Sequence, residues 1–86
     1  MKIFHSDTIS WTELGDFVFI FNEVTGTFFK FEGVLKELWL TLESSNDFEE
    51  VVEKIFSKYD VEKNELQEDL LQAIQQLENQ QLLIRR

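Results

Sequence analysis

The sequence predicts an α+β domain, a three-stranded antiparallel sheet followed by three helices. Three observations carry that expectation. Residues 17–31, FVFIFNEVTGTFFKF, alternate like two short strands around a turn. Three later segments place apolar residues at helical spacing. No proline and no low-complexity tract interrupts the order, so residues 1–86 read as a single domain.

Residues 2–13 give the weakest signal. Thr8, Ile9, Ser10 and Trp11 suit an edge strand, with Ile9 and Trp11 alternating with polar neighbours. Leu14, Gly15 and Asp16 read as a turn. Phe17–Asn22 is a strand, and Thr27–Phe31 is its partner across Glu23–Gly26, where Gly26 is free to take a positive φ. Phe17, Phe19 and Phe21 share one face of the first strand; Val18 and Ile20 share the other. Phe29 and Phe31 share a face of the second, opposite Phe28 and Lys30. Only one set can face the helices. The other set lacks obvious partners in the chain.

The first helix runs from Glu32 or Val34 to Glu43, with Leu35, Leu38, Trp39 and Leu42 on one stripe. The second runs from Asp47 to Tyr59. Its stripe is Phe48, Val51, Val52, Ile55, Phe56 and Tyr59, and Asn46 with Glu49 has the spacing of a capping box. The third runs from Glu62 to Gln80 or Gln81, with Leu66, Leu70, Ala73, Ile74 and Leu77 facing inward. Leu82–Ile84 either extends that helix or folds back as a short strand.

Composition excludes several functions. There is no cysteine, hence no disulfide or thiolate metal site. The net charge is −9, and the only adjacent basic pair is Arg85–Arg86, a poor match to phosphate backbones or anionic membranes. A neutral or basic partner fits better, with solubility the main effect of the charge. No apolar run is long enough for a membrane span, and the first residues lack a signal-peptide h-region; a cytoplasmic location is expected. No phosphate-binding loop, nucleophile elbow or zinc signature is present. His5, the only histidine, reads as an ordinary surface residue, so no metal and no cofactor are expected. Glu62, Glu65, Glu68 and Asp69 read as first-turn carboxylates that favour the helix dipole. An enzyme is not expected. A sticky, open-edged sheet backed by helices fits a domain that holds a peptide.

Several segments together resemble the PqqD-like domains, also called RiPP recognition elements, which bind leader peptides of ribosomally made, post-translationally modified peptides. FVFIFN is followed by EVTGTFFKF, similar to the family's N-x-x-T-G-x-x-Y/F turn and strand. Gly33 and VLKELWLTLE resemble a helix ending in I-W-x-L-L; DFEEVVEKIFSKYDV and ELQEDLLQAIQQLENQQLLI resemble the two helices that follow. Phe31-Glu32 and Gln81 depart from the pattern, which favours Leu-Asn or Leu-Asp at the former and Gly at the latter. The resemblance implies a winged helix-turn-helix in bacterial lasso-peptide biosynthesis, with no catalytic residues of its own. The partners it implies are a precursor leader peptide, a cysteine-protease-like leader peptidase and a cyclase; neither nucleic acid nor membrane is among them. The leader would add as a strand beside the third strand and lie against the third helix, and a pocket for an aromatic leader residue is expected.

Carried onto this chain, the peptide-binding candidates are Thr27, Phe28, Phe29, Lys30 and Phe31 on the strand. On the helix they are Leu66, Asp69, Leu70, Ala73, Ile74 and Leu77. Each apolar member alone is as well explained by the core. Phe28, Lys30 and Asp69 are the better surface candidates. A winged-helix DNA-binding regulator is the alternative, for which the Gln-rich third helix would enter a groove. A fixed structural subunit using its exposed phenylalanines is a third.

Overall fold

Phe17–Asn22 lies at the centre of the sheet because its even-numbered side chains, Val18, Ile20 and Asn22, are fully enclosed. The structure is a computed structural model describing residues Met1–Arg86. In chain order the elements are β1 (Ile3–His5), β2 (Ile9–Leu14), β3 (Phe17–Asn22), β4 (Phe28–Phe31), α1 (Gly33–Ser44), α2 (Phe48–Phe56), α3 (Lys63–Asn79) and β5 (Leu83–Arg85). The strands β2, β3 and β4 form the expected three-stranded antiparallel sheet, in that order. Gly15, at φ +61°, takes the left-handed conformation that the tight β2–β3 hairpin needs.

The facing question left open by the alternation is settled by packing. Val18 and Ile20 turn to the helices with Phe29 and Phe31, which lie opposite them in register. Phe17, Phe19, Phe21 and Phe28 turn away. Bulk decides this: the helical stripes supply Leu38, Trp39, Leu42, Val51, Ile55, Leu70 and Ile74 to one enclosed core.

Several boundaries differ from the sequence expectation. The first strand of the sheet extends to Leu14. A separate strand, β1, precedes it and pairs antiparallel with β5, so Leu82–Ile84 folds back rather than prolonging α3. The helix before it closes with a Schellman motif. Leu82 N–H donates to the Leu77 carbonyl and Gln81 N–H to that of Glu78, with Gln81 at φ +63°. That left-handed position is where the family pattern has glycine. Leu77 and Leu82 are both buried, supplying the apolar contact such caps favour. The helix α2 stops at Phe56, and Tyr59 lies in a tightened turn in which Lys58 and Tyr59 donate to Ile55 and Phe56. Asn46 does not form the expected capping box. Asp47 caps α2 by accepting from Glu50 N–H, while Asn46 donates to the carbonyls of Ile3 and Leu42. The incoming β1 strand needs that donor, which displaces the cap by one residue.

His5 is not the surface residue expected of a lone histidine. Its ring stacks on Trp39 at 3.9 Å and 8° and meets Trp11 edge-on. Nε2–H donates to the Trp39 carbonyl at 3.0 Å, leaving Nδ1 facing the Glu43 carboxylate at 3.4 Å. Burial pushes the imidazole below its ordinary value of 6.5; the backbone hydrogen bond and Glu43 only partly offset it. A group depressed in the folded state contributes stability that is complete above its unfolded value and is lost as pH falls through its folded one. The urea midpoint difference between the native chain and His5→Gln is therefore expected to shrink as pH is lowered from 7.5 toward 5. A difference that stays constant or grows would show that His5 is not held neutral.

Candidate functional site

The sheet has an edge that nothing in the chain covers. In the ladder, β4 pairs only with β3. The direction of its polar groups follows from two bonds. Asn22 N–H donates to the Thr27 carbonyl, and Glu23 N–H donates to the Thr8 carbonyl. Even residues of β3 therefore bond toward β4 and odd residues toward β2. With Ile20 opposite Phe29 and Val18 opposite Phe31, the main chains of Phe29 and Phe31 face inward. The N–H and C=O groups of Phe28 and Lys30 point away from the sheet, free to accept another strand. The opposite edge, β2, likewise pairs only with β3; at its end Lys36 of α1 reaches the Glu13 carboxylate at 3.1 Å and the Gly15 carbonyl at 3.0 Å.

Immediately after β4 the chain enters α1, whose first turn forms one wall of an apolar cleft of about 330 Å³. Val34 and Leu35 come from α1, Tyr59 and Val61 from the α2–α3 turn, and Leu66, Leu70 and Ala73 from α3. Glu65 and Asp69 form its polar side. Leu35 was expected on the inward stripe, yet it is 37 % exposed because the cleft opens at that end of α1.

The structure thus brings together only part of the candidate set. Leu66, Asp69, Leu70 and Ala73 line the cleft; Phe28 and Lys30 present the open edge. Phe28 is 63 % exposed, and Lys30 lies over the Phe17 ring at 4.5 Å. Phe31, Ile74 and Leu77 are buried in the core, and Phe29 is packed against it. Thr27 precedes the strand and belongs to the turn, bonded through its hydroxyl to Thr25. Val34, Leu35, Tyr59, Val61 and Glu65 were not among the candidates. Leu35 and Tyr59 carried a signal indistinguishable from core, and Glu65 reads in the sequence as a carboxylate favouring the helix dipole.

Asn22 was also missed, although it ends the motif strand. Its side chain is fully enclosed and satisfied on both ends. Oδ1 accepts from Val24 N–H at 2.9 Å and Thr25 N–H at 3.2 Å; Nδ2 donates to the Gln81 carbonyl at 2.9 Å. One amide therefore shapes the turn into β4 and ties it to the end of α3. Gly26, at φ +73°, completes that turn. Asn22→Leu is expected to lower stability by about 1–2 kcal/mol, since it removes three hydrogen bonds that the enclosed amide makes to the backbone of the turn and of the α3 end. Chemical denaturation measures this, and a loss below about 0.5 kcal/mol would contradict the clamp.

On the far side, the sheet presents a second apolar surface. Phe21, 41 % exposed, lies with Phe19 and Phe28 in a shallow depression over Ser10 and Thr12, and Leu14 is 67 % exposed at the end of β2. No three carboxylates, histidines or cysteines converge as a metal site. No helix is long and apolar enough to cross a membrane.

A small α+β domain whose open edge strand β4 leads directly into the α1 wall of an apolar cleft is the class this geometry defines. The PqqD family model, described as coenzyme PQQ synthesis protein D, matches residues 18–83, and the chain belongs to that family as a PqqD-like RiPP recognition element. Two solved structures share its fold. TbiB1 in complex with the TbiA(beta) leader peptide is 29 % identical, with a TM-score of 0.91 over 96 % of both chains. Lasso peptide synthetase B1 complexed with the leader peptide is 13 % identical, with a TM-score of 0.87 over 99 % of this chain and 100 % of that one. Among curated proteins, no match was found.

Proposed function

We propose that this chain captures the leader of a ribosomally synthesised precursor, a lasso-peptide precursor in the first instance, by β-strand addition to β4. The open N–H and C=O groups of Phe28 and Lys30, on the strand that runs into the α1 wall of the cleft, carry the reading. A guest strand bonds to those two residues, and the guest residue between them, opposite Phe29, turns its side chain to the helix face of the sheet. Family membership and the leader-bound state of both structural relatives support it.

In this reading residues 1–86 act as one non-catalytic bacterial domain in the cytoplasm, and the fold serves as a winged helix-turn-helix, with α2 and α3 as the helical pair. Captured leader would be handed to a leader peptidase and a cyclase. The outward phenylalanine face is a surface that such a protein partner would cover. The DNA-binding alternative is disfavoured by α3 itself. Its exposed residues include Glu65, Glu68 and Asp69, and its basic residue Lys63 is bonded to Glu53.

Titration of the purified protein with the leader of the short precursor encoded beside it tests the proposal. A guest of about 10 residues must offset its ordering entropy, which a preformed edge and cleft lessen, so binding below about 1 μM is expected. No binding into the high micromolar range would overturn it.

A further inference from the structure

We propose that the groove between α1 and α2 docks an acidic side chain, Asp or Glu, presented by a protein partner at a face separate from the leader cleft. The groove has a volume of about 360 Å³; its walls are the middle and end of α1, the last turn of α2 and the two residues after it. Thr41 carries the inference. It lines the groove and is only 9 % exposed, yet its hydroxyl makes no hydrogen bond within the chain. A helical threonine ordinarily returns that hydroxyl to a carbonyl one turn back. Nor is the hydroxyl sealed away, because the Trp39 indole N–H is the one enclosed side-chain polar atom without a partner. A nearly buried hydroxyl left open in a groove wall is a donor in want of an acceptor.

The surrounding groups choose the acceptor. Lys54 and Lys58 line the same groove against a single carboxylate, Glu37. Lys58 donates to Glu37 at 3.0 Å, while Lys54 has none of the ion pairs that hold Lys36, Lys58, Lys63 and Arg85. The last turn of α2 suits a cation through the helix dipole, which accounts for Lys54 there but not for the open hydroxyl across the groove. Ser44 and Ser57 donate to the carbonyls of Thr41 and Lys54 at 3.2 and 2.7 Å. One hydroxyl and two ammonium groups are left as donors, and they suit the two oxygens of a carboxylate. Leu40, half-buried on the same wall, offers an apolar contact that a free anion would not use. A side chain fixed to a partner's backbone brings a carboxylate and an apolar neighbour together. A polyanion such as nucleic acid is repelled by the net charge of −9, whereas one carboxylate on a folded partner responds to the local field.

The test selects random peptides displayed on phage against the native chain, after depletion on the T41V/K54Q double variant. Surviving peptides are expected to carry Asp or Glu beside an apolar residue and to bind Lys30→Pro as they bind the native chain. For one such peptide, Thr41→Val is expected to weaken binding about three- to tenfold and Lys54→Gln about two- to fivefold. Valine keeps the shape of threonine without the unpartnered hydroxyl, so Thr41→Val is expected to melt at or above the native temperature. A lower melting temperature would show that the hydroxyl serves the fold and would overturn the inference. So would a depleted selection that yields no binder, binders without a carboxylate, or binders that lose affinity for Lys30→Pro and hence lie on the β4 edge. Inorganic phosphate is the probe for a free anion: phosphate that shifts the Thr41 amide resonance while no peptide survives depletion would give the groove to a small anion and refute docking. Leader capture at β4 stands or falls on its own titration, whichever of these results is found.

Discussion

Lys30→Pro is expected to weaken leader binding by about ten- to a hundredfold while leaving the fold in place. The N–H it removes points away from β3 into the open edge, so no bond of the existing ladder is broken. The guest strand loses the donor for one carbonyl, which costs about 1–3 kcal/mol if that carbonyl is enclosed. Each 1.4 kcal/mol is roughly a factor of ten in affinity, and the proline ring adds a steric bar along the edge. Lys30→Ala is the control for the side chain and is expected to bind within about threefold of the native chain, because the main chain is untouched.

Phe29→Pro reverses the pattern. Its N–H points inward to Ile20, so the change breaks the β3–β4 ladder and costs about 1–3 kcal/mol of stability for the orphaned carbonyl alone. Calorimetric titration of the three variants, each with its thermal melt, reads both quantities. A Lys30→Pro protein that binds leader normally would show that the guest lies elsewhere. A Phe29→Pro protein as stable as Lys30→Pro would show that the parity derived for β4 is wrong.

Trp39→Ala is expected to be the most damaging single substitution to stability, at about 3–5 kcal/mol. Trp39 is fully buried and is the hub of the aromatic group: His5 stacks on it, and Trp11 and Phe31 meet it edge-on at 6.2 and 6.0 Å. Truncation also removes the ring that shelters His5. A domain of this size holds roughly 4–13 kcal/mol in total, so about a quarter of the stability or more is at stake. Trp39→Phe is expected to lose less than half as much, for a specific reason. The Trp39 indole N–H is buried with no acceptor, and phenylalanine dispenses with that orphan donor while keeping most of the apolar volume. Guanidinium melts followed by far-ultraviolet circular dichroism measure both. A Trp39→Ala loss below about 1 kcal/mol would mean that the core does not depend on this ring.

Much of the fold was legible because local spacing dictates local structure. The stripe Phe48, Val51, Val52, Ile55 can be buried only as a helix, and all four are buried. The alternation through Phe17–Asn22 can be buried on only one face, as found. The pairing of β1 with β5 was hidden because three-residue strands at the two ends of a chain carry no periodicity and owe their existence to each other. The cap at Asp47 rather than Asn46 was hidden for the same reason, since the competing carbonyl of Ile3 arrives from the far end of the sequence.

For the candidate site, the strand and the helix were readable from the resemblance, and Phe28, Lys30 and Asp69 were readable as surface. The cleft between them was not. Val34 and Val61 carry no pattern of their own, and Leu35 has the spacing of a core residue but stands at the mouth of the cleft.

Residue type and spacing alone determined that the chain is a sheet followed by helices, with an apolar surplus on one hairpin. Which phenylalanines stay outside, which main-chain groups remain unbonded and where the cleft opens were decided only when distant segments met. Burial and hydrogen bonding at those places depend on partners dozens of residues away, as Asn22 and Gln81 show, and no local pattern encodes the partner's position.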